Sequence, residues 1–328
     1  MKLLDVNNVL RSAYFVLLGS LFLLLSACIK SPQEPLRLGT NVWLGYEPLY
    51  LARKLGDLKP DTVRLVEYVS ATQVMRGLID GTIDAGALTL DEAILLRQQG
   101  LDVQIILVMD YSAGADALVA HAGIKNLKAL KGKRVGVETT ALGAYMMQRA
   151  LEKGGLRLNE VKIVPLELSQ HEQAYLDGKI DAVVTFDPVR SRLLAQGANS
   201  LLDSSQLPGE VVDVLVVRND VLAQQQSNIV SLLKTWFKTL AYIKAKPLLA
   251  ARGMTARQKL EEADVLKALE GIELPDYSKN RSLLGHQPVA LKTQADRLVN
   301  VMLQNNLLAG SVHAGDLFDI DLLQELYP

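Results

Sequence analysis

The chain carries the same short pattern twice, 97 residues apart. Residues 80–85 (DGTIDA) recur as residues 177–182 (DGKIDA), and residues 37–39 (RLG) recur as residues 134–136 (RVG) with the same offset. One match alone is explained by a helix that ends at glycine before a strand. Two matches in one register indicate a duplicated folding unit, so the sequence predicts two similar lobes.

Each copy alternates predicted strands and helices. The pattern predicts strands at 36–40 and 63–67 and helices at 48–55 and 71–79, with a third strand from Ile83. The second copy is predicted to repeat this order with strands at 133–137, 161–165 and from Ile180, and helices at 141–154 and 170–176. Such alternation indicates right-handed βαβ units. The predicted fold class is α/β, each lobe being a mainly parallel sheet flanked by helices.

Two segments are predicted to carry the chain between the lobes. The first consists of the apolar runs 103–110 and 116–121, and the second is the apolar run 211–217. The first lobe is therefore predicted to comprise residues 36–112 plus 214–328, and the second lobe residues 113–213. The C-terminal part, predicted to be helical at 221–245, 256–269 and 291–306, should pack on the first lobe.

The N-terminus has the layout of a signal peptide. Lys2 and Arg11 precede an uncharged run, residues 13–25, which is shorter than the about 20 residues of a membrane-spanning helix. The segment Leu25-Ser26-Ala27-Cys28 resembles the lipobox of bacterial lipoproteins, which implies cleavage after residue 27 and lipidation of Cys28. The alternative is an ordinary buried cysteine near the end of an anchor helix. Residues 28–35, polar and containing two prolines, are predicted to be a tether.

This layout implies an extracytoplasmic protein, lipid-anchored to a membrane that faces the periplasm. Ile29 follows the cysteine. An aspartate at this position would resemble a signal for retention in the inner membrane, so with isoleucine here attachment to the outer membrane stays open.

Composition excludes several classes of function. The 35 basic residues nearly balance the 36 acidic ones, so the chain has no overall positive charge that would attract nucleic acid. A single cysteine excludes a disulfide framework, a multi-cysteine metal site and thiol catalysis. The four scattered histidines, His121, His171, His286 and His313, are interpreted as surface or capping residues. Because nucleotide-binding and nucleophile-elbow motifs are absent, we expect a non-enzymatic protein without cofactor or metal.

Four motifs resemble one protein family. They are residues 39–52 (GTNVWLGYEPLYLA), 78–85 (LIDGTIDA), 127–137 (LKALKGKRVGV) and 181–188 (DAVVTFDP). Their order and spacing resemble type II periplasmic substrate-binding proteins of ABC importers, in the group that includes taurine, aliphatic-sulphonate, nitrate and thiamine-precursor binders. The resemblance implies a monomer whose two lobes close on a small-molecule solute and deliver it to an ABC permease and its ATPase. Two alternatives stay open: a binding protein that signals to a membrane sensor, and an enzyme on the same fold.

The site is expected where the carboxyl ends of strands from both lobes meet. This selects loops 41–47, 89–92, 110–116, 138–143 and 185–187. The predicted ligand-binding residues are Trp43, Tyr46, Glu47, Thr89, Asp110, Ser112, Glu138, Thr139, Thr140, Phe186 and Asp187.

Several of these residues have a structural alternative. Trp43 and Tyr46 offer aromatic faces to a flat or cationic ligand, or pack at the junction of a loop and a helix. Thr139 and Thr140 precede a helix and either bind an anion or carbonyl group or cap that helix. Asp187 is placed like an N-cap before Pro188.

The charges in these loops favour a nitrogen-containing neutral or cationic solute. The loops contain no lysine or arginine, and their acids include Glu47, Asp91, Asp110, Asp116, Glu138 and Asp187. An oxyanion normally finds a basic partner. A sulphonate or other oxyanion remains the alternative, because some of the acids have the spacing of helix-start residues, as in Thr89-Leu90-Asp91-Glu92.

Overall fold

A computed structural model describes residues 33–328 except 139–141, 286–288, 311, 320, 325, 327 and 328. The predicted signal peptide, Cys28 and most of the predicted tether lie outside the described residues. Among the described helices, none is both long and apolar enough to cross a membrane.

The described part of the chain contains eleven strands. Their bounds are β1 Leu36–Thr40, β2 Val63–Glu67, β3 Ala85–Thr89, β4 Val103–Ser112, β5 Asp116–Ala120, β6 Arg134–Val137, β7 Lys162–Pro165, β8 Ala182–Phe186, β9 Asn199–Asp203, β10 Val212–Arg218 and β11 Ile272–Glu273. The α-helices are α1 Glu47–Lys54, α2 Ala71–Ile79, α3 Leu90–Gln98, α4 Leu142–Gly154, α5 Leu168–Leu176, α6 Val189–Ala195, α7 Asn219–Ala245, α8 Pro247–Gln258, α9 Glu262–Leu269, α10 Tyr277–Leu284, α11 Ala290–Gln304 and α12 Asp321–Gln324.

The strands form two sheets. The first has the order β11-β4-β10-β3-β1-β2 and the second has the order β7-β6-β8-β5-β9. In both sheets the repeated strands pair in parallel: β1 with β2 and β3, and β6 with β7 and β8. The predicted two-lobed α/β fold is confirmed.

The sheets are mixed rather than mainly parallel, which corrects one part of the prediction. Strand β10 is antiparallel to β3 and β4, and β5 is antiparallel to β8 and β9. These are the strands that begin after the chain crosses from the other sheet. A crossing strand enters its new sheet at the end where the repeated strands finish, as Asp116 of β5 does opposite Phe186 of β8. It therefore runs antiparallel to the strands of the βαβ units.

The repeated sequence builds the same link in both lobes. Backbone N and Nε of Arg37 donate to Oδ2 of Asp84 at 2.8 and 2.9 Å. The equivalent atoms of Arg134 donate to Oδ2 of Asp181 at 2.8 and 3.1 Å. Each link joins the first strand of a lobe to the turn before its third strand. Gly81 lies in that turn of the first lobe with φ of 70°, a left-handed conformation that favours glycine.

The chain changes sheets at two places that are hydrogen-bonded to each other. It passes between Ser112 and Asp116, and it returns between Asp203 and Val212. The Ser112 and Ser204 hydroxyls are 2.6 Å apart, and the Gly114 N–H donates to Oγ of Ser204 at 2.7 Å.

The C-terminal helices pack on the first sheet and its helices, as predicted. The helix expected at 256–269 is instead the end of α8 and the separate helix α9. The two helices are separated at Lys259, whose left-handed backbone (φ of 51°) cannot continue a right-handed helix. Helix α8 thereby places Arg257 and Gln258 against the loop that follows β1.

Candidate ligand-binding cleft

A cleft lies between the two lobes, at the carboxyl ends of β1, β3 and β8. Its cavity volume is about 40 Å³. The first lobe lines it with Asn41, Trp43, Tyr46, Ala71, Thr89, Glu92 and Asp213. The second lobe lines it with Asp116, Glu138, Leu142, Gly143, Met146, His171, Val184, Thr185 and Phe186.

Two aromatic rings meet across the lobes. The ring centroids of Trp43 and Phe186 are 5.4 Å apart and the ring planes are perpendicular, an edge-to-face arrangement that aromatic pairs prefer. The indole Nε1–H of Trp43 also donates to Oδ2 of Asp110 at 3.1 Å. Gly45 leaves room for this bond, because a Cβ there would lie 1.8 Å from that oxygen.

Buried carboxyl groups form the floor of the cleft on the side of the first lobe. Asp110 on β4 and Asp213 on β10 are directly opposite in the sheet register, and Thr89 at the end of β3 pairs with Asp213 on its other side. The Tyr46 hydroxyl donates to Oδ1 of Asp213. The Thr89 N–H donates to Oε2 of Glu92 at 2.8 Å, the reciprocal half of the capping box that the sequence predicted.

Burial makes these acids hold their protons. It raises the pKa of Asp110 to about 7, with repulsion from Asp116 adding to the shift and hydrogen bonds with Trp43 and Asp213 opposing it. Burial raises the pKa of Asp213 well above its usual range, and repulsion from Asp110 adds to that shift. Burial also raises the pKa of Glu92 well above its usual range. At neutral pH the floor therefore carries less negative charge than its number of acids suggests.

The second lobe contributes Asp116 from the start of β5. The side chain is 3% exposed, and its Oδ2 atom has no hydrogen-bond partner in the described part of the structure. Burial, followed by the nearby charges of Asp187 and Asp91, raises the pKa of Asp116 to about 7.

His171 is the second buried group of this lobe with an unpartnered atom. It lies on α5, is 1% exposed, and its Nδ1 is 3.2 Å from Oγ1 of Thr185. Its Nε2 has no partner among the described atoms. Burial lowers the pKa of His171 to about 4, so the imidazole is neutral at physiological pH. The interpretation of this histidine as a surface or capping residue is wrong.

No lysine or arginine lines the cleft among the residues described. Arg190, on α6, lies close enough to Asp116 to lower its pKa slightly. Nη1 of Arg190 is 3.5 Å from Oδ2 of Asp187. No group of three His, Cys, Asp or Glu side chains in the described ranges is placed to hold a metal ion.

The structure brings together five of the eleven predicted site residues as lining of the cleft. They are Trp43, Tyr46, Thr89, Glu138 and Phe186. Asp110 lies directly behind Trp43 and does not line the cleft. Thr139 and Thr140 lie outside the described residues, so their predicted role stays a prediction.

Three predicted residues have other partners, which corrects their assignment. Glu47 is 1% exposed and accepts bonds from Arg257 and Gln258, because α1 turns its first residue toward α8. Ser112 bonds Ser204 at the crossing between the lobes. Asp187 accepts a bond of 2.9 Å from the Ser191 N–H and so caps α6, the structural alternative that the sequence allowed.

The residues predicted from the sequence to bind the ligand do not include Asn41, Glu92, Asp116, His171 or Asp213, which also line the cleft. One signal was available for Asp213, which is the only charged residue in the apolar run 211–217. Such an acid is costly in a buried strand unless it has a local role. His171 gave no comparable signal, because a polar residue in the first turn of a helix is common.

Comparison with known proteins gives a family and a fold. The model of the NMT1-like family matches residues 29–256. The taurine-binding periplasmic protein of Escherichia coli K12 is 27% identical over 162 residues, which span 48% of this chain and only about half, 50%, of that protein.

Solved structures share the two-lobed architecture. The alkanesulfonate-binding protein SsuA from Xanthomonas axonopodis pv. citri, bound to MOPS, superposes with a TM-score of 0.74 at 16% identity and covers 88% of this chain and 99% of its own. The desulfurization enzyme DSZB superposes with a TM-score of 0.64 at 15% identity over 89% of this chain and 98% of its own. At these identities the likeness shows the fold alone.

Proposed function

The chain belongs to the NMT1-like family, and on that premise we propose that it is the solute-binding protein of an ABC importer. In this proposal a lipid anchor at Cys28 holds the protein at a membrane facing the periplasm. The lobes, predicted from the sequence as residues 36–112 plus 214–328 and residues 113–213, close on one solute. Strand β10, which begins at Val212, belongs to the sheet of the first lobe. The closed form then docks on a permease coupled to an ATPase.

The observation that carries the choice of solute is the charge of the cleft. Four acids line it, Glu92, Asp116, Glu138 and Asp213, and no described lining residue is basic. A sulphonate placed there would meet carboxyl groups and would lack the paired cation that such a group normally requires. A nitrogen compound, neutral or cationic, finds hydrogen-bond acceptors on both lobes.

The rest of the lining is apolar and aromatic. The rings of Trp43 and Phe186 meet edge to face, and Leu142, Met146 and Val184 add aliphatic surface. We therefore propose a solute with an apolar or flat body and N–H groups, such as an amine, an amidine or a nitrogen heterocycle. The buried floor favours a compound whose polar groups become fully satisfied on closure.

An oxyanion solute is the second candidate. It is favoured by the taurine-binding and alkanesulfonate-binding names of the similar proteins. It would need Arg190 to leave Asp187 and turn toward the cleft. Enzymatic activity is a weaker third candidate, for which the fold of DSZB is the supporting observation. A membrane sensor in place of the permease fits the same lobes.

A thermal-shift screen tests the proposal. The panel contains primary amines, amidines and nitrogen heterocycles on one side, and taurine, methanesulfonate and nitrate on the other. We expect stabilisation by nitrogen compounds, and we expect Arg190→Met to leave that stabilisation intact. Stabilisation by the oxyanions alone, lost in Arg190→Met, would replace this proposal with the oxyanion candidate.

A further inference from the structure

Besides Oγ1 of Thr89 in the first lobe, two polar atoms in the cleft wall lack partners in the described part of the chain although their side chains are buried. They are Oδ2 of Asp116, at the start of β5, and Nε2 of His171, on α5. Both residues line the same cleft from the second lobe, and they are 3% and 1% exposed. A buried polar atom without a partner costs free energy, so such atoms mark a place that a ligand group completes.

We propose that Asp116 and His171 determine the specificity of the cleft: Asp116 binds a cationic N–H group of the solute as a carboxylate, and gives up a proton when it does so. His171 contacts the remainder of the solute as a neutral imidazole. The inference rests on the proposed function and names the form of nitrogen group that the cleft selects.

The surroundings of Asp116 explain why a cation is needed to ionise it. A hydrogen bond with the Ser112 side chain favours the carboxylate form of Asp116, but its Oδ2 is free of described partners. The titratable and charged groups around it are Asp187 and Arg190 beyond β8, Asp91 and Glu92 on α3, Asp110 on β4, Asp213 on β10, and Glu138 and His171 in its own lobe.

All of these groups except Arg190 and the neutral His171 are acids. A negative charge on Asp116 is therefore unfavourable in the empty cleft, and burial together with the charges of Asp187 and Asp91 raises its pKa to about 7. A bound cation supplies the missing positive charge and lowers that pKa. Binding of the cation and release of the proton are then linked, and affinity rises with pH.

His171 adds a different kind of selectivity. Its ring cannot provide a positive charge near neutral pH, because burial lowers its pKa to about 4. Nδ1 lies beside the Thr185 hydroxyl, and Nε2 is left for the solute. This neutral group makes a hydrogen bond without repelling a cation held by Asp116.

Benzamidinium is a suitable probe, because it is a flat cation with N–H donors at every pH used, and benzamide is its neutral counterpart. Binding is measured by isothermal titration calorimetry at pH 6 and pH 8, in buffers that differ in ionisation enthalpy. A carboxyl group with a pKa of about 7 is roughly one-tenth ionised at pH 6 and nine-tenths at pH 8, so we expect benzamidinium to bind about tenfold more tightly at pH 8. We expect net proton release at pH 6 and no comparable pH effect for benzamide.

Variants separate the two roles. Asp116→Asn keeps the shape and is expected to weaken benzamidinium binding at pH 8 about tenfold and to remove its pH dependence. His171→Phe is expected to weaken both probes while the pH dependence remains, and His171→Gln is expected to restore most of the affinity. Asp177→Asn and His121→Gln are matched controls from the same lobe, because both residues lie outside the cleft lining. Unfolding temperatures confirm that each variant is folded.

Benzamidinium affinity that is equal at the two pH values, or unchanged in Asp116→Asn, would overturn the inference. Failure of benzamidinium to bind the wild type at pH 8 would overturn it as well. The proposed function stands after any of these results if other nitrogen compounds still stabilise the protein in the thermal-shift screen. It fails only if oxyanions alone stabilise the protein in that screen.

Discussion

Glu138 in the second lobe accepts two hydrogen bonds from Thr72 in the first lobe. Its Oε1 atom is 3.2 Å from the Thr72 backbone N and 2.6 Å from the Thr72 hydroxyl. Thr72 lies in the first turn of α2, and Glu138 directly follows β6. The bond therefore joins a helix start of one lobe to a strand end of the other, so it is made only when the lobes are together.

Removing the Thr72 hydroxyl should favour the open form. A hydrogen bond to a charged group contributes roughly 1.5–3 kcal/mol, so Thr72→Val should shift the ratio of closed to open molecules about tenfold or more. Small-angle scattering should detect a larger radius of gyration. Thr82→Val is the matched control, since the Thr82 hydroxyl donates within its own lobe, to the Gly77 carbonyl. An identical scattering profile for Thr72→Val and wild type would remove this bond from the closure.

Gly45→Ala should disrupt the first-lobe wall of the cleft. The added Cβ would lie 1.8 Å from Oδ2 of Asp110 and 2.4 Å from Nε1 of Trp43, so the bond between these two side chains must break. We expect a loss of about 1–3 kcal/mol in the free energy of unfolding, together with a large loss of solute-induced stabilisation. Gly123→Ala has open space around its Cβ and should change neither. Unaltered tryptophan fluorescence and solute response in Gly45→Ala would contradict the prediction.

The unliganded protein should become less stable as the pH rises from 6 to 8. Burial raises the pKa values of Asp110 and Asp116 to about 7, whereas they titrate near 4 when unfolded. Between these values the folded state binds more protons than the unfolded state, so the free energy of unfolding falls with pH, by about 1 kcal/mol per group over this interval. His171, with a pKa lowered to about 4, has the opposite effect, but only below about pH 6.5.

Thermal unfolding at several pH values checks this sign. A decrease of roughly 2–4 °C is expected for each kcal/mol, and Asp116→Asn should make the curve flatter. Asp177→Asn should keep the wild-type slope. A wild-type unfolding temperature that rises from pH 6 to pH 8 would show that the pKa values of these buried acids are not raised by folding.

Glu47 should matter for stability rather than for binding. It is buried and paired with Arg257, which also stacks over the Tyr50 ring at 3.5 Å. Glu47→Gln removes one carboxylate from Arg257, which keeps its ion pair with Glu67 at 2.6 Å, so the free energy of unfolding should fall by roughly 1–3 kcal/mol. Glu262→Gln, which breaks the exposed pair with Arg252, should cost less than about 1 kcal/mol. Urea denaturation measures both, and a loss of binding at unchanged stability would return Glu47 to the ligand site.

Local patterns in the sequence determined the repeated units. The strands at 36–40 and 63–67 and the helix at 71–79 agree with the structure at both ends, because their hydrophobic periods and caps lie within the segments themselves. The repeat also indicated two lobes, and the Asp-Gly turns indicated where each third strand starts. These features depend on neighbours along the chain.

Only the tertiary structure decided which polar residues face the cleft. Asn41 and Asp213 line the same wall although 172 positions separate them along the chain, and Asp213 arrives there through an antiparallel strand that follows the return from the second lobe. The sequence predicted acids and no lysine or arginine in the site, and the described cleft lining has this composition, but the sequence assigned Glu47 and Asp187 to the ligand and overlooked His171. A carboxylate has the same local pattern whether it caps a helix, pairs with a distant arginine or faces a solute. The partner that distinguishes these roles comes from another part of the chain, and packing alone brings it near.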